Sequence, residues 1–99
     1  MSRYNRKVDA NHSAIVSALE QIGVGVLDTS GAADGWSDLV TFQRGIMRAV
    51  EIKDGEKPPS ARKLTIAQVR AHELARVHGC TIHVVTSVDE ALALHGARV

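Results

Sequence analysis

Residues 35–53, Gly35-Trp36-Ser37-Asp38-Leu39-Val40-Thr41-Phe42-Gln43-Arg44-Gly45-Ile46-Met47-Arg48-Ala49-Val50-Glu51-Ile52-Lys53, decide the fold. Leu39 to Phe42 reads as a strand, Gln43-Arg44-Gly45 as a turn, and Ile46 to Lys53 as a returning strand. Side chains alternate across a strand. Ile46, Val50 and Ile52 therefore share one side, and Met47, Ala49, Glu51 and Lys53 share the other.

The pattern extends outward from this hairpin. Before it, Val8, Ile15, Leu19 and Ile22 recur at helical spacing, with Asp9 or Asn11 as cap and Gly23 as stop. Val24 to Leu27 reads as a short strand, and Asp28 to Gly35 as a Gly-rich loop. After the hairpin, Asp54-Gly55 turns, and Pro58-Pro59 keeps residues 57–63 out of a helix. A helix then opens at Thr65, with Gln68 as its capping-box partner and Leu64 with Val69 as a hydrophobic staple, and it stops at Gly79. Thr81 to Thr86 is a β-branched strand. Ser87 caps a last short helix through Leu94, with Glu90 in the capping-box position. The order α-β-β-β-α-β-α specifies an α/β sandwich with a mixed four-stranded sheet flanked by helices.

Composition narrows the function. The chain has 99 residues, so residues 8–99 form one domain behind a basic arm at 1–7. Twelve Lys and Arg against eleven Asp and Glu exclude a histone-like polycation, while aromatics at 3% exclude a multi-ring base-stacking platform. Cys80 is the one cysteine, which excludes an intrachain disulfide or a CxxC metal ribbon. No apolar run approaches the length of a membrane span, and no apolar signal core follows the basic N-terminus. A cytoplasmic protein is the expectation.

Chemistry concentrates in three residues. Asp38 begins one strand, and thirteen positions later Glu51 precedes Lys53 by two. Glu51 and Lys53 project from one face, and the turn at 43–45 brings Asp38 back beside Glu51. Two carboxylates make a hard oxygen site suited to Mg²⁺, with Mn²⁺ as a substitute and the Ile52 carbonyl as a further ligand. Lys53 stands ready to orient a water or to stabilise charge on a phosphate. Lys57, Arg62 and Lys63 are placed to neutralise flanking phosphates, and Ser30 lies in the small-residue loop before Asp38. The competing reading makes Glu51 and Lys53 a solvated strand face with a weak ion pair. His12 reads either as a ligand or base or as a helix-edge residue. Trp36 reads either as a stacking ring or as a loop anchor. His72 and His78, six apart, do not have the spacing of a helical zinc pair, and His83 reads as a sheet residue.

The run Gly35-Trp36-Ser37-Asp38-Leu39-Val40, followed by Val50-Glu51-Ile52-Lys53, resembles the PD-(D/E)XK nuclease superfamily. The continuation DGEKPPSARKLTIAQ (54–68) resembles its small phage and bacterial branch, the VRR-NUC and Holliday-junction-resolvase-like nucleases. In that branch a basic turn follows the E-x-K strand, and a helix then opens L-T/S-x-x-Q. The stretch Arg6 to Asn11 is similar to the same branch, and the likeness spans roughly residues 6 to 95. It implies a restriction-endonuclease-like core in which Asp38 and Glu51 bind metal, Lys53 is the catalytic lysine and Gln68 lies near the site. Gln68 is also the capping-box residue, and both roles stand open. Two positions depart from the pattern. Ser37 replaces a common proline, and Asn11 and His12 stand where many relatives carry a glutamate in the first helix.

The resulting expectation is a Mg²⁺-dependent DNA endonuclease in a bacterial cell or phage-infected host. It reads branched, flap or junction DNA through backbone geometry, as a homodimer with paired sites. The alternative is a nuclease-fold module that binds DNA or a partner without turnover.

Overall fold

Arg44 (φ 50°) and Gly45 (φ 78°) both take left-handed backbone conformations, and Gln43 pairs with Ile46 across them. This is the two-residue turn whose twist matches that of a hairpin. In the computed structural model, which describes residues 9–97, it joins β2 (Leu39–Gln43) to β3 (Ile46–Ile52). The other elements are α1 (His12–Gln21), β1 (Gly25–Asp28), α2 (Ile66–Val77), β4 (Ile82–Val85) and α3 (Val88–Leu94), with a 3-10 turn at Pro59–Arg62. The sheet order is β1-β2-β3-β4. The first three strands are antiparallel, and β4 is parallel to β3 after the crossover through α2. This is the expected mixed α/β architecture. The basic arm at 1–7 and Val8 lie outside the described residues.

One sheet face carries the core. Leu39, Val50 and Ile52 meet Ile15 and Leu19 of α1, together with Val24, Val85 and Ala91. Burying these aliphatic side chains stabilises the fold by about 1.5–3 kcal/mol for each large one. The alternation expected for β3 holds only near its end. Ile46 is 50% exposed, whereas Glu51 is 1% exposed. Burial is concentrated away from the hairpin turn, so the tip stays wet and the last three residues of β3 are covered on both faces.

Several boundaries shift for local reasons. Val24 precedes β1 because its N–H closes α1 on the Leu19 carbonyl. Asp28 belongs to β1, paired with Leu39. Ile22 caps α1 and is 44% exposed, so it does not extend the apolar face. Asn11 occupies the N-cap position but makes no side-chain cap; its amide instead donates to the Lys53 and Thr86 carbonyls at 3.2 and 3.1 Å. Helix α1 is thereby tied to the ends of β3 and β4. The Thr65–Gln68 capping box closes in both directions, whereas Val69, the expected staple partner of Leu64, is 51% exposed. At α3, Ser87 accepts the Glu90 N–H as expected. The Glu90 carboxylate does not return to Ser87. It takes the Thr86 N–H and hydroxyl.

Gly35 holds the loop before β2 against the start of α2. Its φ is +82°, and a Cβ there would stand 2.5 Å from the Ala67 carbonyl oxygen. Gly45 has a similar φ but nothing within 4 Å of the added carbon. Gly45→Ala is therefore expected to cost about 1 kcal/mol, from backbone strain alone. Gly35→Ala adds a backbone clash and is expected to cost at least about 2 kcal/mol more. Urea unfolding of the two variants measures the difference, and equal losses would show that the Gly35–Ala67 contact does not constrain the loop.

Candidate active site

The register Leu39↔Val50, continued by one residue, places Asp38 opposite Glu51. Opposed residues of an antiparallel pair project to the same face, here the one opposite the aliphatic core. Asp38 is 4% exposed, and its Oδ2 accepts the Ile52 N–H at 2.8 Å. Its backbone is also pinned. The Asp38 carbonyl accepts the Thr29 N–H at 2.8 Å, and the Thr29 hydroxyl donates to the Ser37 carbonyl. Ser37 is fully buried and donates to the Leu39 carbonyl at 3.1 Å. The position where a proline was expected is thus a satisfied hydroxyl.

Glu51 cannot be a solvated strand residue at 1% exposure. A buried carboxylate costs several kcal/mol unless donors meet it. Gln68 is one such donor, with Nε2 to Glu51 Oε2 at 2.9 Å. The same amide accepts twice at Oε1, from Lys53 Nζ at 2.9 Å and from the Thr65 N–H at 2.8 Å. This combination fixes the orientation of the amide, since its oxygen faces two donors and its nitrogen a carboxylate. The capping-box reading of Gln68 therefore holds, and the same side chain also meets Glu51 and Lys53. The helix cap delivers the side chain that links Glu51 to Lys53. Asp38, Glu51, Lys53 and Gln68 gather at the end of β3, beside the first turn of α2.

The remaining predicted positions divide. Lys57 and Lys63 are exposed and Arg62 is half-buried, on the turn leading into Thr65; Lys57 also lies 3.8 Å from Asp9. Ser30 is engaged locally, its hydroxyl and N–H both donating to Asp28 Oδ1. His12 is buried, with Nε2 3.1 Å from Asp28 Oδ2. Burial raises the Asp28 pKa, but the Ser30 hydroxyl and N–H, followed by His12, outweigh it and hold the carboxyl below its ordinary value. Trp36 is 36% exposed and lines an open apolar groove of about 200 Å³ with Val40, Met47, Ala49 and Ile82. Among the described residues, no cluster of three or more His, Cys, Asp or Glu side chains is arranged to hold a metal ion.

Sequence reasoning weighed His72 only as a zinc-pair partner of His78. It lies four residues after Gln68, one helical turn along the same face. Its Nε2 is shielded and has no hydrogen-bond partner among the described residues. Burial, and then the nearby Lys53 charge, push its pKa below the ordinary histidine value. The spacing from Gln68 was the available signal, but a search for zinc pairs does not look for it.

A solved structure described as a VRR_NUC domain superposes with a TM-score of 0.60 at 28% identity, covering 86% of this chain and 91% of that one. No family model and no curated protein matches the chain. Together, sheet topology and superposition define a VRR-NUC, PD-(D/E)XK-like nuclease fold.

The His72 shift has a sign that can be checked. Its neutral form is favoured in the folded state, so its contribution to stability is complete above the unfolded value of about 6.5 and is lost as pH falls below it. His83, lowered by burial, then by Arg48 and His95, acts in the same direction. A proton NMR titration is expected to give His72 a midpoint below that of a free histidine. In Lys53→Met the midpoint should rise while staying below the free value, because the burial remains. An unchanged midpoint would show that Lys53 does not act on His72.

Proposed function

We propose that the chain is a metal-dependent endonuclease that hydrolyses phosphodiester bonds in DNA and selects branched, flap or junction substrates. The observation that carries this reading is the Gln68 amide joining Glu51 and Lys53 beside Asp38, on a nuclease fold. The donor set fits Mg²⁺. Asp38 and Glu51 are hard carboxylates on opposed strand positions, and the Ile52 carbonyl lies between Glu51 and Lys53 in sequence. Mg²⁺ characteristically takes one or two carboxylates and fills its shell with water and phosphate oxygens. When bound, such an ion supplies Lewis acidity and lowers the pKa of a coordinated water.

The protein's own groups account for the rest. Asp38 is held through the Ile52 N–H and Glu51 through Gln68, so neither carboxylate must reorganise before reaction. The Lys53 ammonium, positioned by Gln68 Oε1, orients the attacking water and stabilises charge growing on the phosphoryl oxygens. Lys57, Arg62 and Lys63 neutralise neighbouring phosphates and position the duplex without reading its sequence. No helix among the described residues is long and apolar enough to cross a membrane. The proposed setting is the cytoplasm of a bacterial or phage-infected cell.

A second reading is favoured by α1. Asn11 is spent on two carbonyls and His12 on Asp28, where a first-helix glutamate was the family expectation. With fewer acidic ligands, the fold would serve as a DNA- or partner-binding module without turnover.

Cleavage of a four-way junction, a flap and a linear duplex in Mg²⁺ tests the proposal. Asp38→Ala, Glu51→Ala and Lys53→Ala are each expected to lower kcat at least about a hundredfold. Gln68→Ala is expected to lower it less and to cost about 1 kcal/mol of stability through the lost cap. Calorimetry should show Mg²⁺ or Mn²⁺ uptake that Glu51→Ala abolishes. Equal cleavage by wild type and variants would overturn the mechanism, and DNA binding without metal uptake would establish the module. Neutralising Lys57, Arg62 and Lys63 together should weaken DNA affinity and reduce its salt slope by about three.

A further inference from the structure

The sheet face that carries the two acids is incompletely covered. Past Gln68, the residues of α2 that leave water are Ala71, His72 and Ala75, all half-buried, while the bulky Val69, Leu74 and Val77 stay exposed. No large aliphatic side chain of the helix therefore fills the space over the sheet. The open groove of about 200 Å³ is what remains, walled by Trp36, Met47 and Ala75 and floored by Val40, Ala49 and Ile82.

Strand register ties this groove to the candidate site. Val40 pairs with Ala49, and Ala49 with Ile82. The Val40–Ala49 pair lies two residues along both strands from Asp38 and Glu51, so all four side chains project from one face. At about 3.3 Å per residue, the floor begins roughly 7 Å from the carboxylates. Trp36 precedes Asp38 by two residues, so one loop delivers both the ring and the first acid. A molecule held by a phosphate at the acids would also reach the groove with its neighbouring group.

The lining decides which group that is. Among the described residues, no Lys, Arg, His, Asp or Glu lines the groove, so it is unsuited to a second phosphate. Flat apolar walls with an indole ring suit the face of a base, and stacking of this kind tolerates any base. Thr81 carries the one hydroxyl of the lining, which suits the polar edge of such a ring. A base within a duplex must be unstacked and unpaired before it can enter, at a cost of a few kcal/mol, whereas a single-stranded base has no pairing to break.

We propose that the groove beside Trp36 receives one unpaired base of the DNA whose backbone lies at Asp38 and Glu51. The inference rests on the DNA-cleaving reading for the position of that backbone. It supplies a physical source for a preference for forks and flaps over intact duplex.

Trp36 is the one tryptophan of the chain, so its emission reports on the groove directly. The full chain is titrated with a forked duplex bearing two single-stranded arms, the same fork with abasic arms, and a blunt duplex. Ca²⁺ replaces Mg²⁺ to supply an oxygen-bound cation during the binding measurement. The fork should quench the emission, and the abasic fork should leave it unchanged and bind about tenfold more weakly. Anisotropy of labelled DNA then gives the preference for fork over duplex. Trp36→Leu removes the ring and Ala75→Met fills the groove with a flexible side chain; each should lower that preference about tenfold, while Trp36→Phe should keep it within about threefold. Circular dichroism checks that the variants fold, and the wild-type emission stands without them. Equal emission with fork and blunt duplex, or a fork affinity indifferent to abasic arms, would overturn the proposal, as would an undiminished preference in both folded variants. Fork cleavage in Mg²⁺ without a base-dependent change in emission would sink the groove and spare the nuclease reading. Base-dependent quenching without cleavage would uphold the groove and remove turnover.

Discussion

The Gln68 amide is the constraint on which the site depends. It is buried, and it holds three groups of different kinds: a carboxylate on β3, an ammonium two residues further on, and the unpaired N–H at the start of α2. A buried carboxylate and a nearby ammonium could meet as a direct ion pair, with a large desolvation cost and one preferred geometry. Here a neutral amide meets both, with Gln68 Nε2 donating to the Glu51 carboxylate and Oε1 accepting from the Lys53 ammonium. The space between Glu51 and Lys53 is then set by the length of a side chain anchored in a helix cap. A helix terminus thereby supplies the side chain that joins the two.

The loop before β2 serves the same end from the other side. Thr29, Ser37 and the Ile52 N–H fix Asp38 at both its backbone and its carboxylate. Gly35 brings that loop to within contact of Ala67, the residue next to Gln68. The loop carrying the first acid and the helix carrying the bridging amide are thus packed directly on one another. This explains why a stretch of small residues, which alone would suit any flexible connection, ends in an ordered carboxylate.

Helix α1 makes a different exchange. Asn11 gives up the cap that its type and position favour in order to hold the ends of β3 and β4. Those strand ends carry Lys53 and Thr86, so the asparagine steadies the backbone beneath the lysine. His12 is similarly drawn to Asp28, which Ser30 also engages. The first helix contributes rigidity at the positions where a related pattern would supply an acidic ligand.

The order of elements, the hairpin about Arg44-Gly45, the α2 cap and the pairing of Asp38 with the Glu51–Lys53 strand were all legible in the sequence. They rest on local rules: alternation with period two, left-handed turn residues and a threonine three residues before a glutamine. Tertiary structure alone decided that Glu51 is buried, that Ile46 is not, that Asn11 and Glu90 bond away from their own helix caps, and that His72 lies beside Lys53. Each of these depends on which distant segment arrives at a given face. A strand pattern cannot report that its second face will be covered by a helix some fifteen residues further along. The sequence alone therefore determined which groups share a strand face, and packing decided which of them leave water and which partner receives them there.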